Sequence, residues 1–518
     1  MNMRLVAIGV TTAFLALGCG KKADEKQAGN ESAGGTPAQE RGKAGAEQSD
    51  APKMAKPAEV KATPARSELP ADSSEHKGAH QWSTSLGGIT KDSGRTVAIG
   101  PKDMAAVAGY FSTTAKLGAA ELEVKETSDP EVTDEVDAFV AVFDAAGKPA
   151  WTRQLGGKGE QIVSSVAFDS QGNVVVAGWF GIELDFGEGR LTTAGGDDIF
   201  VAKFDPTGRR LWAKRFGGPD VDGADALAID AGGNIVVTGV FRGEAEFAGT
   251  KIKSSGNADA YVLKLNPAGE VVMLKPFGER YDDFGRAVAI DSQGNMLIFG
   301  EFSNKVSFGG QALESVGNRD LFITKLDPTG GHLWSIGFGT ELDELGLSIA
   351  TDPTDSVVIT GSFEDKMSFG GDTFRAQGKG DVFVAKYDRA GKHVWSKQFG
   401  GKDEDIAADI TTDGFGNIYV TGWFWFTIDF GGGPLKSNGK RDSFLVKLSP
   451  AGDHLWSKTF GNKESDTGRS VAVASDGSVL ASGSFRYTLD MEGEKLAYAA
   501  KKGGLIPYAD IYLARFSR

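Results

Sequence analysis

The sequence predicts an all-β protein, a seven-bladed β-propeller of four-stranded antiparallel blades whose ring is closed by N- and C-terminal strands sharing one blade. Three observations carry this. An aromatic or apolar residue followed by a short polar run and Phe/Leu-Gly recurs at Trp82, Trp151, Trp212, Met273, Trp334, Trp395 and Trp456, spaced 69 residues once and then 61 residues five times. A fixed period of this size marks a repeat architecture. Each unit holds four β-branched or aromatic runs, and the first and last runs of the folded part are complementary pieces of one unit.

The second full unit shows the order of elements. It reads SSVAFDSQGN from Ser164, VVVAGWF from Val174, DIFVAKFDPTG from Asp198 and RLWAKRFGG from Arg210. Runs of this composition bounded by Gly, Asn, Asp and Pro are strands and turns. The segments Asp169–Asn173 and Asp205–Gly208 are tight hairpin turns, because Gly and Asn tolerate the positive φ these turns require. The runs are nearly continuous in apolar residues, as expected when both faces of each sheet pack against neighbouring blades. Radial repetition then lets residues 81–518 stay one domain without enlarging a single core. The folded part opens with an outermost-type strand from Gln81 and closes with a third-type strand from Asp510, so pairing of the termini should latch the ring and remove two exposed edges.

The Gly-Asn turn followed by Val-x-Val-x-Gly, the Asp-x-Phe-Val-x-Lys strand and the Trp-x-x-x-Phe-Gly-Gly strand resemble the bacterial SBBP, or seven-bladed β-propeller, repeats over residues 81–518. The resemblance implies the fold. It implies no single activity, and a fold alone licenses none.

Ahead of the repeats, Arg4 precedes an apolar run from Leu5 to Gly18 that ends at Cys19, the only cysteine. Basic-then-apolar order is that of an export signal, and the run is shorter than the roughly 20 residues that span a bilayer. Leu15-Ala16-Leu17-Gly18-Cys19 resembles the lipobox of bacterial lipoproteins, with Ala16 and Leu17 where that family prefers Leu and a small residue. The resemblance implies that residues 1–19 are a signal peptide, that Cys19 is acylated, and that the protein is exported to the cell envelope and held on a membrane, the outer membrane being expected. A single cysteine excludes a disulfide framework and a thiolate zinc site. Residues 20–80 are rich in Ala, Gly, Lys, Glu, Ser and Pro and poor in aromatics, which predicts a disordered tether. Its 10 basic and 10 acidic residues balance, so with Arg4 set aside a net charge of −15 falls on the folded part. An acidic domain argues against nucleic acid as a partner.

Comparison among the units separates held positions from varying ones. The Asp opening the third strand (Asp137, Asp198, Asp259, Asp320, Asp381, Asp442, Asp510) and the Phe after the second-strand glycine are present in every unit, and both are expected to build the scaffold. A second acidic set, Asp92, Asp222, Asp283, Glu344, Asp405 and Asp466 with Gln161 as its exception, precedes the innermost strands. Two readings stay open: a carboxylate ring at one channel mouth, where calcium would be the cation suited to oxygen ligands, or carboxylates that accept hydrogen bonds from their own Gly-rich loops. Lys203, Lys264, Lys325, Lys386, Lys447 and Arg515 share a third-strand position where burial requires carboxylate partners.

Function is sought where the units vary. The tight turns lie on one face of the disc. The second-to-third connections and the loops into the innermost strands lie on the other, the long-loop face, and recognition is expected there. Tyr110, Trp179, Trp423 and Trp425 are its candidate binding aromatics, with filling of space between blades as the alternative. Two insertions, around Glu126 to Glu135 and Tyr498 to Tyr508, lie on the same face. His332, His393 and His454 recur at one turn position in successive units and cannot converge on one metal. No catalytic residue is assigned, since no thiol, nucleophile elbow, P-loop or dinucleotide fingerprint is present in a fitting context. The sequence therefore points to a monomeric, lipid-anchored, non-catalytic binding or scaffold module for a protein or polysaccharide. The alternatives are a carbohydrate-active hydrolase or lyase with acidic residues at the channel mouth, and a rigid surface-display module.

Overall fold

The computed structural model describes residues 66–69, 72, 77–88, 90–124, 135–342, 344–474, 476–498 and 509–518. Cys19, all of the tether before residue 66, and most of both insertions lie outside them. Seven antiparallel blades of four strands follow one another along the chain, the last continuing through its N-terminal strand into the hairpin of blade 1, where Gly87 and Gly88 pair with Lys116 and Ala115. Blade 1 comprises the strands Asp92–Ile99, Ala105–Ser112, Val136–Phe143 and Pro149–Leu155, ordered from innermost to outermost. Blades 2 to 6 begin at Gln161, Gly223, Asp283, Leu345 and Ile406, and blade 7 takes Thr467–Val473, Val479–Phe485 and Asp510–Phe516 from the C-terminal end and His80–Gly88 from the N-terminal end. The latch is antiparallel, with Trp82 opposite Arg515 and Leu86 opposite Ile511.

The continuous apolar runs have the predicted cause. Strands such as Val174–Phe180 and Asp198–Phe204 are buried along nearly their whole length. Their side chains feed seven hydrophobic clusters, each drawn from two neighbouring blades, from blades 1 and 2 round to blades 7 and 1. Cohesion therefore lies between sheets, and no blade has a core of its own.

The second-to-third connections differ from the expected loops, because each is a small β-hairpin. In blade 3 it is Glu244–Phe247 paired with Thr250–Lys253, and in blade 6 the second and third strands run on as Ile418–Asp429 and Pro434–Leu448. Alternation explains it: every other residue, such as Ala245 and Phe247, drops into the inter-blade core while its neighbours face water. These hairpins also join blades, since Gly156 after the outer strand of blade 1 bridges Asp185 in the hairpin of blade 2, and Gly217 bridges Glu246 one blade on.

On the tight-turn face the blades are stapled by indole N–H groups. The outer-strand Trp151, Trp212, Trp334 and Trp395 donate Nε1–H to the carbonyls of Pro206, Pro267, Arg389 and Pro450, each in the next blade's third turn, at 3.1–3.2 Å. Lys203, Lys325 and Lys386 reach the same three later carbonyls and pair with Asp169, Asp291 and Asp352 of their own blades at 2.8–2.9 Å. The expected carboxylate partners of the third-strand cations are thus the Asp residues of the first turn. Trp456 breaks the pattern, its buried Nε1 having no acceptor. In blade 7 the third and outermost strands come from opposite ends of the propeller and are not joined by such a turn. Ahead of the latch, Asp72 accepts from Asn417 at 2.7 Å and pairs with Arg518 at 2.6 Å, which places this tether residue against the tight-turn side of blade 6.

Candidate functional site

The acidic set is built into the blade junctions. Asp222 and Asp405 are fully buried, and each takes one backbone N–H from the loop four residues earlier and another from the residue after the second-strand Phe: Gly218 at 2.7 Å and Arg242 at 2.9 Å for Asp222, Gly401 at 2.7 Å and Trp425 at 3.0 Å for Asp405. Asp466 does the same with Asn462 and Arg486, while Asp92 and Asp283 hold Gly88 and Glu279. Glu344 bonds the Thr340 hydroxyl, and Gln161 donates to Lys158, Gly159 and Glu183 carbonyls. These groups tie three chain segments at each junction, the geometry of the second reading of this set. Burial pushes Asp222, Asp283, Asp405 and Asp466 up to about 7, helped by the third-strand Asp of the preceding blade, as Asp198 does for Asp222. A Cβ on Gly217, whose φ is +137°, would strike both Asp198 and Asp222. Among the described residues no three His, Cys, Asp or Glu side chains gather as a metal site. His332, His393 and His454 each bond the Ser three residues on, at 3.0–3.2 Å, one per blade.

The four candidate aromatics separate. Tyr110 and Trp179 pack together with Val136 and Ile162 between blades 1 and 2, which is the space-filling role. Trp423 is only 5% exposed, whereas Trp425 is half-buried beside the 57% exposed ring of Phe426. Phe426 belongs to a position that sequence reasoning missed. Thr113, Ile182, Gly243, Asn304, Asp365, Phe426 and Tyr487 all open the small hairpins with φ between +56° and +66°. Gly, Asn and Asp accept this conformation readily, while a β-branched or aromatic residue is strained by it. Ile182, Phe426 and Tyr487 keep it with their side chains exposed, Tyr487 at 51%. Such strain motivates a search for function. Aligning the units at their 61-residue period would have shown three bulky side chains in a column otherwise made of Gly, Asn, Asp and Thr.

Charge on the inner rim is arranged unequally. Every innermost strand carries a β-bulge at one position, where blades 1, 3, 4 and 7 hold Arg95, Asp225, Arg286 and Arg469. In blade 4, Arg286 pairs with Asp225 and with fully buried Glu301 at 3.2 Å, Arg319 joins Glu301 at 3.3 Å, and both guanidinium groups stack on Phe284. In blades 6 and 7, Arg441 and Arg469 lie 5.4 and 5.1 Å from the centre of the Trp423 ring and neither has a carboxylate within 4 Å among the described residues. The buried Nε atoms of both and Nε1 of Trp423 lack acceptors. Burial, then Arg95 and Arg441, lower Arg469 to about 10. A polar cleft of about 530 Å³ opens between blades 3 and 4, lined by Asn257, Tyr281, Asp282, Asn304, Glu314 and Asn318 among others.

The family model for the SBBP beta-propeller repeat matches residues 150–179 and 394–423. The chain is 27% identical over 199 residues to an uncharacterized WD repeat-containing protein of Acanthamoeba polyphaga mimivirus, covering 32% of this chain and 14% of that protein. It is 26% identical over 348 residues to the regulatory protein FlaEY of Caulobacter vibrioides, covering 62% of this chain and 35% of that protein. The match thus spans about a third or less of either relative's length. Among solved structures it is similar to the WD40 β-propeller domain of Doa1, with TM-score 0.40 and 10% identity over 85% of this chain and 97% of that one. It is also similar to Sqt1 from Chaetomium thermophilum, with TM-score 0.36 and 11% identity over 84% and 87%.

Proposed function

We propose that this chain, assembled from SBBP β-propeller repeats, is a non-catalytic scaffold of the bacterial envelope, anchored through Cys19, that grips a protein partner with the blade 6 and 7 sector of its long-loop face. The observation that carries the reading is the pair Phe426 and Tyr487, exposed in adjacent blades at strained positive φ. Two large rings pointing into water contribute nothing to the fold and fit the aromatic anchors of a binding hot spot, with Trp425 and Arg486 beside them. The latch and the seven inter-blade clusters hold that face rigid, which lowers the ordering cost of association.

The test is site-specific photocrosslinking in intact cells, with the crosslinker at Phe426 or, on an outer strand, at exposed Leu455. The reading expects one discrete protein adduct from the Phe426 position and none from the Leu455 position; the same pattern from both, or no adduct from Phe426, overturns it. The cleft between blades 3 and 4 favours a second reading, a neutral glycan, because Asn257, Asn304 and Asn318 offer amide groups around the exposed ring of Tyr281. Loss of glycan-array binding in Tyr281→Ser supports that reading, and an array without hits sinks it.

A further inference from the structure

We propose that Arg441, Trp423 and Arg469 form an anion site at the inner rim of blades 6 and 7 that takes a carboxylate from an acidic segment of the protein partner. The inference rests on the protein-binding reading above and supplies its chemistry. Two half-buried guanidinium groups flank one indole ring, and neither has an ion-pair partner among the described residues. Packing like charges together away from bulk water is unfavourable unless an opposite charge joins them. Blade 4 supplies the internal control. Glu301 and Arg319 stand at the positions that Trp423 and Arg441 occupy two repeats later, and there Arg319 and Arg286 close on the Glu301 carboxylate. At this pair of positions the fold therefore has one form closed by an anion, with its second arginine, Arg286, drawn from the same blade, and one in which an indole takes the carboxylate's place and the second arginine, Arg469, comes from the next blade.

Arg441 and Arg469 both retain partial solvent exposure, so an incoming carboxylate can reach their terminal N–H groups and form the bidentate contacts that guanidinium geometry favours. Arg486, half-buried next to exposed Tyr487, extends the positive charge toward the aromatic pair. Aromatic anchors beside arginines are the composition of protein hot spots, which favours an acidic peptide over an acidic glycan as the source of the carboxylate. The site is local: the protein as a whole carries a net charge of −14, so an acidic partner is attracted here and repelled elsewhere, which fixes its orientation.

The test uses the whole propeller titrated at fixed ionic strength with hexaglutamate, with an oligogalacturonate of equal charge and with inorganic phosphate. Binding of hexaglutamate that weakens at least about tenfold in both Arg469→Met and Trp423→Glu supports the site, since the first removes a cation and the second installs the carboxylate of blade 4. Circular dichroism on each variant separates loss of the site from loss of fold, and Trp423→Glu is expected to fold because blade 4 accommodates Glu there. Equal binding by wild type and both variants overturns the site. Oligogalacturonate binding as tight as hexaglutamate, with the same dependence on Arg469, overturns the assignment to a peptide, as does phosphate competing at equal charge. If photocrosslinking from Phe426 fails while hexaglutamate binding still depends on Arg469, the site stands and the envelope-scaffold reading falls.

Discussion

Glu301 and Trp423 occupy the same backbone position two blades apart, each beside an arginine at the start of the third strand, and their surroundings could hardly differ more. Around Glu301 the charges close on themselves: Arg286, Arg319 and Asp225 form a network and Phe284 lies against both guanidinium groups. Around Trp423 two arginines face the indole ring, with no carboxylate within 4 Å of either among the described residues. The fold is indifferent to the choice, because in both strands the next residue is the same Phe packed into the inter-blade cluster, Phe302 or Phe424. Positions that the scaffold leaves undetermined are the ones in which a repeat protein can keep one blade structural and make another receptive.

Breaking the closed side should cost most. Glu301→Gln leaves Arg286 and Arg319 without their shared anion, and a loss of about 3 kcal/mol in unfolding free energy, measured by denaturant titration, is expected, near the lower end for a broken buried pair because the arginines are partly exposed. Arg469→Met on the open side should leave stability within about 1 kcal/mol of wild type, since no partner is stranded. Equal losses would erase the distinction between the two regions.

Acidity tests both sides together. Asp222, Asp283, Asp405 and Asp466 sit at about 7 in the folded protein, above their ordinary value of 3.8, so between those values the native state binds more protons than the unfolded chain. The stabilisation from their protonation is fully present below about pH 4 and is lost as pH rises through about 7. Burial lowers His393 and His454, which oppose the trend, while Asp442, raised to about 6, reinforces it. The melting temperature is expected to be several degrees higher at about pH 5 than at about pH 8. On the open side the same titration discharges Asp466, whose negative charge acts on Arg441, so hexaglutamate should bind more tightly at about pH 6 than at about pH 8. A flat profile for both would separate the junction carboxyls from either behaviour.

The smallest effect concerns the staples. Trp395→Phe removes the Nε1–H bond to Pro450 and should cost about 1 kcal/mol, whereas Trp456→Phe removes a donor with no acceptor and should cost nothing measurable from hydrogen bonding. Thermal denaturation of the two variants side by side measures the difference.

What could be read from the residues follows the same division. The blade count, the four-strand order and the latch were legible because period, turn chemistry and the two incomplete ends each state them locally. The partners of the third-strand lysines were legible in kind, since a cation in a doubly packed strand must meet a carboxylate, though which Asp answered it depended on the turn folding back over the strand. The small hairpins were missed because alternation over two to four residues is too short to stand out from a polar loop. Tyr110 and Trp179 could not be told from Trp425 by composition, because whether an aromatic fills a junction or leaves it depends on the neighbouring blade. Arg441 and Arg469 escaped for the same reason, since their partnership crosses from one blade to the next.

The latch has a further consequence. Because the last sheet is made from both ends of the chain, the disc cannot be completed until the final third-type strand, Asp510–Phe516, has been synthesised and has met His80–Gly88. A ribosome still carrying an unfinished chain therefore holds an open crescent with two unpaired strand borders, and removal of the last nine residues would leave it in that state permanently. A molecule constructed this way acquires its rigidity in one closing step.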